Sequence, residues 1–564
     1  MSYLAGRLAE LPPELADTVM APVVARGGPR GRAGARRACR AMRDLWDTWV
    51  TSVELRCGMR AAPENLLLPQ PQPQQQQQPQ DEQEDAWREA LIDRLLLLPR
   101  LTRLVVLPSQ QPVHVAWPSL LPRLPEAARL TSLCLAGQWA ALADAGARQQ
   151  LCAALGSMRA LAELDLSRTL APGQGGDIGP RRVLEACPPG LRSLDLMHNA
   201  GMPADELAVA LQRLTCLTCL RLSNPSVAAG GGGRAARAAL AASLGALAGL
   251  RELAVGGFVT TDLAAALGPS GRLAGLTRLE VGSPWEDGAA PGMTALVRAV
   301  GSLAGLRHLS LVGVLDCMPA PLPGQPEPPT IAGLTQLTAL SWDVCMQASR
   351  LPAGMPRMPC LRELELRNVL DSFSFFGMPG AGAGAGGIAS LTLDALPGDD
   401  DAVSALGRAV GATLERLRLD RLPDLERAQV LLGSLPRLRD LELWTDSAQG
   451  LTTLPSALTR LRLCTYRPPD QPVAPLVCEL LARNCRCIEL LEIDVRHPSQ
   501  LPQLLDALTA LKSLVRLVLV VWTGAAPEDR EALRAEAALL AEQMRPHLPR
   551  LEWVSAVRGS FLRA

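Results

Sequence analysis

The chain has 564 residues, of which 48% are hydrophobic but only 3% aromatic, and its 56 Lys+Arg balance its 56 Asp+Glu. With so few rings the core must be filled by aliphatic side chains. A net charge of zero provides no chain-wide field that would attract nucleic acid or an anionic membrane, so we expect neither as a partner. The length fits several ordinary domains or one elongated repeat array.

The N-terminal residues predict no secretory signal, because charged residues and prolines such as Arg7, Glu10 and Pro12 interrupt the apolar stretch. No segment approaches the roughly 20 apolar residues that a bilayer span needs. We therefore expect a cytoplasmic protein, with nuclear or ciliary locations also open. The 14 cysteines should then be reduced, packed thiols.

Two amphipathic stretches predict a small helical module over residues 8–57. Pro12 and Pro13 stand where a helix can begin, and Leu15, Val19 and Met20 then share one face. A second apolar stripe at helical spacing consists of Cys39, Met42, Leu45, Trp46 and Trp49.

This pattern resembles the F-box, which opens with Leu-Pro-x-Glu-Leu and closes with a helix containing Cys-Arg and Trp. The resemblance implies docking of a Skp-type adaptor and, through it, a cullin ubiquitin ligase. The residues that would contact the adaptor are Leu11, Pro12, Leu15, Val19, Met20, Cys39, Met42 and Trp46. The glycine-rich segment between the two stretches departs from the F-box pattern, so a helical N-terminal cap or a degenerate relic remains an alternative.

Residues 63–86 contain a Pro-Gln stretch, a glutamine tract and the acidic run Asp81-Glu-Gln-Glu-Asp. This composition cannot bury a core and predicts a flexible linker.

From residue 87 to 564 the dominant feature is a recurring Leu-x-x-Leu-x-Leu with a mean step of about 27.5 residues. The sequence resembles the leucine-rich repeat family, which implies an α/β solenoid, a horseshoe with parallel strands on the concave face and helices on the convex face. Alternation in each motif predicts a short strand with its leucines in the core. The sixteen motifs open at Leu101, Leu130, Leu161, Leu191, Leu217, Leu250, Leu276, Leu306, Leu337, Leu361, Ile388, Leu414, Leu438, Leu458, Ile488 and Leu514.

Between the motifs, helices are predicted at 203–214, 294–303, 401–410 and 476–482, and Pro/Gly-rich loops at 171–182, 223–234, 283–293, 316–330 and 371–387. The asparagine that closes the family pattern is clear only at Asn199, and Thr169 stands at the corresponding place one repeat earlier. A charged helix over 527–545 and a last degenerate strand opening at Leu548 predict a C-terminal cap.

The leucine register predicts which side chains the sheet displays. Early repeats show Ser132, Cys134 and Ala136, followed by an acidic patch of Glu163, Asp165 and Asp195. Later repeats become strongly charged, with signs that alternate from strand to strand. The predicted partner-binding residues are Arg416, Arg418, Asp440, Glu442, Trp444, Arg460 and Arg462. The alternative is that neighbouring rows merely neutralise one another.

Catalytic and metal-binding patterns are missing from the sequence. None of the five histidines has a partner at metal-ligand or triad spacing, and Cys216-x-x-Cys219 is only half of a zinc site. We expect no enzyme activity, no cofactor and no metal.

The combined prediction is a non-catalytic recognition subunit, an F-box-like substrate receptor that is monomeric outside its complex. The alternative is a leucine-rich repeat scaffold with no ubiquitin-ligase link. Such a scaffold would be a cytoskeletal or ciliary adaptor, or a GTPase regulator resembling the Ran GTPase-activating protein.

Overall fold

The structure is a computed structural model. It describes residues 52–58, 101–109, 124, 129–137, 145–170, 180–199, 202–223, 233–257, 260–268, 272–282, 290–314, 331, 333–344, 358–367, 387–396, 400–422, 425–445, 451–464, 487–495, 508–509, 511–522, 539, 542–548, 550–551 and 553–559. The chain forms two compact units, Met1–Phe258 and Val259–Ala564.

In the first unit, seven strands pair in parallel in chain order. They are β1 Ser52–Gly58, β2 Arg103–Ser109, β3 Ser132–Cys134, β4 Glu163–Asp165, β5 Ser193–Leu196, β6 Cys219–Ser223 and β7 Glu252–Gly256. The described helices between them are α1 Ala145–Ser157, α2 Pro180–Glu185, α3 Ala204–Arg213 and α4 Gly233–Ala246.

In the second unit, eleven strands also pair in parallel in chain order. They are β8 Arg278–Gly282, β9 His308–Val314, β10 Ala339–Val344, β11 Glu363–Arg367, β12 Ser390–Leu393, β13 Arg416–Leu422, β14 Asp440–Thr445, β15 Arg460–Cys464, β16 Leu490–Val495, β17 Arg516–Trp522 and β18 Trp553–Gly559. The described helices are α5 Thr260–Leu267, α6 Ala290–Gly301, α7 Asp400–Val410 and α8 Leu425–Gly433, with a 3-10 turn at Leu273–Gly275.

All sixteen predicted motifs are followed by a strand, β2 to β17, that begins two residues after the motif opens. The three hydrophobic positions of each motif are the core of the repeat. In the β14 repeat, Leu438, Leu441 and Leu443 are each 0% exposed. Since no repeat can bury these leucines alone, neighbouring repeats must stack. The predicted α/β leucine-rich repeat solenoid is therefore the architecture of the described part of each unit.

The backbone fixes the register between neighbouring strands. The carbonyl of Ala389 accepts the N–H groups of Glu415 and Arg416, and the carbonyl of Glu415 in turn accepts those of Arg439 and Asp440. The same double acceptance continues to β17. Because each strand is held at the same height as the one before it, residues at equal motif positions lie side by side.

The turns after β4 and β5 show how the repeats close. Arg168 (φ 55°) and His198 (φ 60°) adopt the left-handed conformation, which is uncommon for residues other than glycine. The next residue in each turn is buried. Asn199 accepts the N–H groups of Thr169 and Leu170 at 2.8 Å and donates to two leucine carbonyls. Thr169 donates its hydroxyl to the carbonyl of Leu135 at 2.6 Å, so a threonine partly replaces the asparagine in the preceding repeat.

Helices α7 and α8 pack closely on each other. The acidic residues in the first turn of α7 and Arg408 in its last turn suit the helix dipole. Gly407 is buried on α7, and a Cβ atom at this position would overlap the hydroxyl of Ser434. The absence of a side chain therefore permits the close approach of the two repeats.

Three predicted loops are shorter than expected because helices begin inside them. Helix α2 begins at Pro180, α4 at Gly233 and α6 at Ala290. Proline is compatible with the first turn of a helix, where its missing N–H costs nothing. The predicted helix at 476–482 and the loops at 316–330 and 371–386 lie outside the described residues.

The first strand of the first unit and the last strand of the second unit differ from the sequence prediction. Strand β1 pairs with β2 from Ser52↔Arg103 to Gly58↔Ser109. The C-terminal part of the predicted 8–57 module thus belongs to the sheet, and the sheet begins before the predicted 63–86 linker. At the other end, the last strand covers Trp553–Gly559. The motif of this strand opens at Leu551, two residues before the strand begins, and not at Leu548. The side chain of Leu548 is buried, but it lies before the motif.

Candidate functional site

The charged residues of the second unit form two parallel rows on the exposed face of its sheet. The N-terminal row consists of the first residues of strands β11 to β17, namely Glu363, Ser390, Arg416, Asp440, Arg460, Leu490 and Arg516. The central row consists of the residues two positions later, namely Glu365, Thr392, Arg418, Glu442, Arg462, Glu492 and Val518.

The predicted juxtaposition of opposite charges is confirmed by the register. Arg416 lies opposite Asp440, and Asp440 opposite Arg460. In the central row Glu442 lies between Arg418 and Arg462. The structure therefore brings together all seven predicted partner-binding residues.

The central row is a closed network around Glu442, whose side chain is only 14% exposed. One carboxylate oxygen lies 3.2 Å from Nη1 of Arg418, and the other accepts from Nη1 of Arg462 at 3.1 Å. Arg462 also contacts Glu492 at 2.8 Å, and the indole N–H of Trp444 donates to Glu442 at 2.7 Å. Arg462 thus contacts a carboxylate on each of its two neighbouring strands.

The guanidinium of Arg418 is held from three directions. Its Nε donates to both carboxylate oxygens of Asp420 at 3.0 and 3.2 Å, and its Cζ lies 5.8 Å from the ring centroid of Trp444. Burial raises the pKa of Asp420 above its ordinary value, although the bonds from Arg418 oppose that rise. Trp444 is one of the predicted partner-binding residues, but its N–H donates to Glu442 and one ring face contacts Arg418 within the sheet.

The N-terminal row is more open than the central row. Arg416 reaches across β12 to Glu363 at 3.3 Å, and both side chains are 57% exposed. Arg460 is 63% exposed and approaches Asp440 only to 3.9 Å. Exposed pairs of this kind contribute about 0–1 kcal/mol, because water competes for both partners.

Arg516 was missing from the predicted site. It is exposed, it occupies the same register column as Arg416 and Arg460, and no carboxylate of the described residues pairs with it. The signal was present in the sequence, since Arg516 follows Leu514 by two positions as Arg416 follows Leu414.

In the first unit the predicted acidic patch is present. Asp165 lies opposite Asp195 in the register. Burial, with the neighbouring Asp165 adding to it, raises the pKa of Asp195, although an Arg221 guanidinium lies 3.2 Å away. Glu163 begins β4 and is exposed. The carboxylates are therefore only partly neutralised.

Two thiols on the same face donate to carboxylates. Cys134 Sγ donates to Asp165 at 3.2 Å and Cys219 Sγ to Glu252 at 3.8 Å. Burial raises the pKa of Cys134 to about 11, and the negative Asp165 contributes in the same direction. These thiols are protonated donors at neutral pH. Within the described segments, no group of three or more His, Cys, Asp and Glu side chains is arranged to hold a metal ion.

The predicted adaptor-binding residues, from Leu11 to Trp46, lie outside the described part of the chain. Among the helices that the structure describes, none combines the length and apolar character needed to cross a membrane.

No known protein family matches the sequence, and no curated protein resembles it significantly. Among solved structures, one match is the leucine-rich repeat ectodomain of the plant membrane receptor kinase GASSHO1/SCHENGEN3 from Arabidopsis thaliana in complex with CASPARIAN STRIP INTEGRITY FACTOR 2, with 14% identity and a TM-score of 0.29. It covers 83% of this chain, and this chain spans 60% of that ectodomain. Another is the plant peptide hormone receptor RGFR1 in complex with RGF2, with 13% identity and a TM-score of 0.26. This match covers 83% of the present chain and 76% of that receptor chain. Matches at this level say nothing about what the present chain binds.

Proposed function

We propose that the chain is a non-catalytic protein-recognition subunit whose partner binds the exposed sheet face of β11 to β17. The observation that supports this is the contrast between the two charged rows. The central row is internally satisfied, with contacts of 2.8 to 3.2 Å around Glu442, Arg462 and Glu492. The N-terminal row keeps its arginines exposed and loosely paired.

This contrast separates two roles that the sequence could not separate. The alternative in which the charges only neutralise one another describes the central row well. It describes the N-terminal row poorly, because Arg460 at 3.9 Å from Asp440 gains little from that contact. An exposed arginine that gives up a weak pair loses little on binding a partner carboxylate.

The experiment compares partner capture by the full chain and by charge-reversed variants. The double variant Arg416→Glu and Arg460→Glu is expected to lose the partner. The control double variant, Arg298→Glu and Arg437→Glu, changes two exposed arginines elsewhere in the same unit and is expected to retain the partner. Captured proteins are compared by quantitative mass spectrometry after circular dichroism has verified equal folding. Identical captures from both variants would overturn the proposal.

As its finer form, we propose that the subunit is an F-box-like substrate receptor of a cullin-type ubiquitin ligase. The support is the sequence pattern of the N-terminal segment, including Leu11, Leu15 and Trp46, placed upstream of the repeats. In this arrangement the N-terminal segment would dock the Skp-type adaptor while the repeats hold the target.

Co-elution of the purified full chain with a purified Skp-type adaptor tests this form. Leu15→Asp and Trp46→Asp are each expected to abolish co-elution, and an exposed control such as Arg437→Gln is expected to leave it intact. A wild-type chain that is folded but does not co-elute would remove the ligase link and leave the sheet-face proposal untouched.

One observation favours a scaffold without a ligase link. Ser52–Gly58 is a strand of the repeat sheet, although all of it except Gly58 lies within the predicted F-box-like module. A repeat sheet that begins inside the predicted module is what a scaffold without an adaptor-docking module would show. The adaptor experiment distinguishes the two forms.

A further inference from the structure

We infer that the N-terminal row of the second unit binds an acidic segment in the polyproline II conformation that carries a carboxylate at every third residue. This inference rests on the proposed function, since it names the kind of partner segment that the sheet face takes.

The first step is the spacing of the arginines. Arg416, Arg460 and Arg516 occupy one register column on β13, β15 and β17, so every second strand presents a cation. Neighbouring strands lie about 4.8 Å apart, which places successive arginines about 10 Å apart. A polyproline II helix has three residues per turn and rises about 3.1 Å per residue, so every third side chain lies on one face at about 9.3 Å. The two repeats nearly coincide.

The second step is the sign of the charge. The N-terminal row contains three arginines against two carboxylates, Glu363 and Asp440, and from β13 to β17 only Asp440 opposes the arginines. Arg460 is also more exposed than its partner, at 63% against 36% for Asp440, and Arg416 is 57% exposed. The row therefore favours an anionic partner.

The third step is what lies between the arginines. Asp440 on β14 would repel a carboxylate placed between Arg416 and Arg460, and the half-buried Leu490 on β16 offers an apolar surface between Arg460 and Arg516. A segment with an acidic residue at every second position would place carboxylates beside Asp440 or Leu490, where they would be repelled or lie against an apolar side chain. Prolines or other apolar residues between the carboxylates would fit, so the row disfavours wrong spacings as well as favouring the right one.

The experiment measures peptide binding to the full chain by fluorescence anisotropy. One labelled peptide has four Glu-Pro-Pro repeats. The other has the same composition, with its four glutamates at every second position and the remaining prolines at its end. The first peptide is expected to bind at least about tenfold more tightly, with an affinity that falls as salt rises through about 0.15 M.

Matched variants assign the binding to the row. The triple variant Arg416→Gln, Arg460→Gln and Arg516→Gln is expected to weaken binding at least about tenfold. The triple variant Arg298→Gln, Arg408→Gln and Arg437→Gln removes the same charge from exposed positions of the same unit, and it is expected to bind within about twofold of the wild type.

Equal affinity for the two peptides, equal weakening by the two triple variants, or no binding to the wild-type chain would each overturn the inference. Failure of the proposed function has a different signature, because it would show as partner capture that does not respond to reversal of Arg416 and Arg460. If the reversal abolishes partner capture but the peptides do not bind, the sheet face remains the binding surface. The inference of a polyproline II segment is then overturned by itself.

Discussion

Replacing Glu442 with alanine is the sharpest test of the idea that the central row stabilises the sheet. The 14% exposed carboxylate receives contacts from Arg418, Arg462 and the indole N–H of Trp444 at 3.2, 3.1 and 2.7 Å. Its loss removes one ion pair from each arginine, while the contacts of Arg418 with Asp420 and of Arg462 with Glu492 stay in place.

The magnitude follows from these contacts. The two arginine side chains are 36% and 45% exposed, so each ion pair is discounted to about 0.2–1 kcal/mol for solvent screening. The hydrogen bond from Trp444 adds about 1 kcal/mol. We therefore expect Glu442→Ala to lower the free energy of local opening by about 2 kcal/mol, which corresponds to about 30-fold faster amide exchange.

Hydrogen exchange of the full chain, followed by mass spectrometry, measures this effect in β14 and uses β4 to β6 as an internal reference. The matched control is Asp440→Asn, because Asp440 lies 3.9 Å from an exposed arginine; this substitution should change exchange by less than about threefold. If the two substitutions accelerate exchange equally, the distinction between the rows is wrong.

Gly407→Ala is expected to lower the stability measured by urea unfolding by about 1–3 kcal/mol because the new Cβ has no room. Gly433→Ala, where a Cβ would meet nothing within 4 Å, should raise it by about 0.5–1 kcal/mol, and equal effects would contradict the packing argument. Burial raises the pKa of Asp195 above its ordinary 3.8, so stability falls as pH rises through that shifted pKa. Asp195→Asn should therefore raise the Tm at pH 7 but not at a pH well below 3.8; a gain that persists in acid would refute this. Cys134, with a pKa near 11, carries about 100-fold less thiolate at pH 8 than a thiol with the ordinary value of 9.0. In timed alkylation it should therefore react after the exposed Cys216, and faster reaction of Cys134 would contradict the burial that raises its pKa.

The strand positions could be predicted from the sequence because each motif carries its own information. A leucine at the first, fourth and sixth positions specifies a strand of alternating burial, whatever the neighbouring repeats contain. For this reason sixteen motifs from Leu101 to Leu514 predict sixteen strands. The register of charges followed as well, since equal motif positions must lie side by side once repeats stack.

The first strand was harder to predict, because it lacks a complete motif of its own. Ser52–Gly58 has alternating Val53, Leu55 and Cys57 but no complete motif, and its place in the sheet depends on pairing with β2 across 44 residues of intervening sequence, from 59 to 102. A strand whose stability comes from a distant neighbour leaves only a weak local pattern.

The sequence by itself determined the repeat, the leucine core and the signs of the exposed charges, because these depend on the spacing of residue types along the chain. Only the tertiary structure decided which charges neutralise one another. Glu442 contacts arginines on both neighbouring strands, whereas Arg460 remains 63% exposed beside Asp440. That difference comes from side-chain reach and burial at adjacent columns of one sheet, which are three-dimensional properties that no spacing of residues specifies.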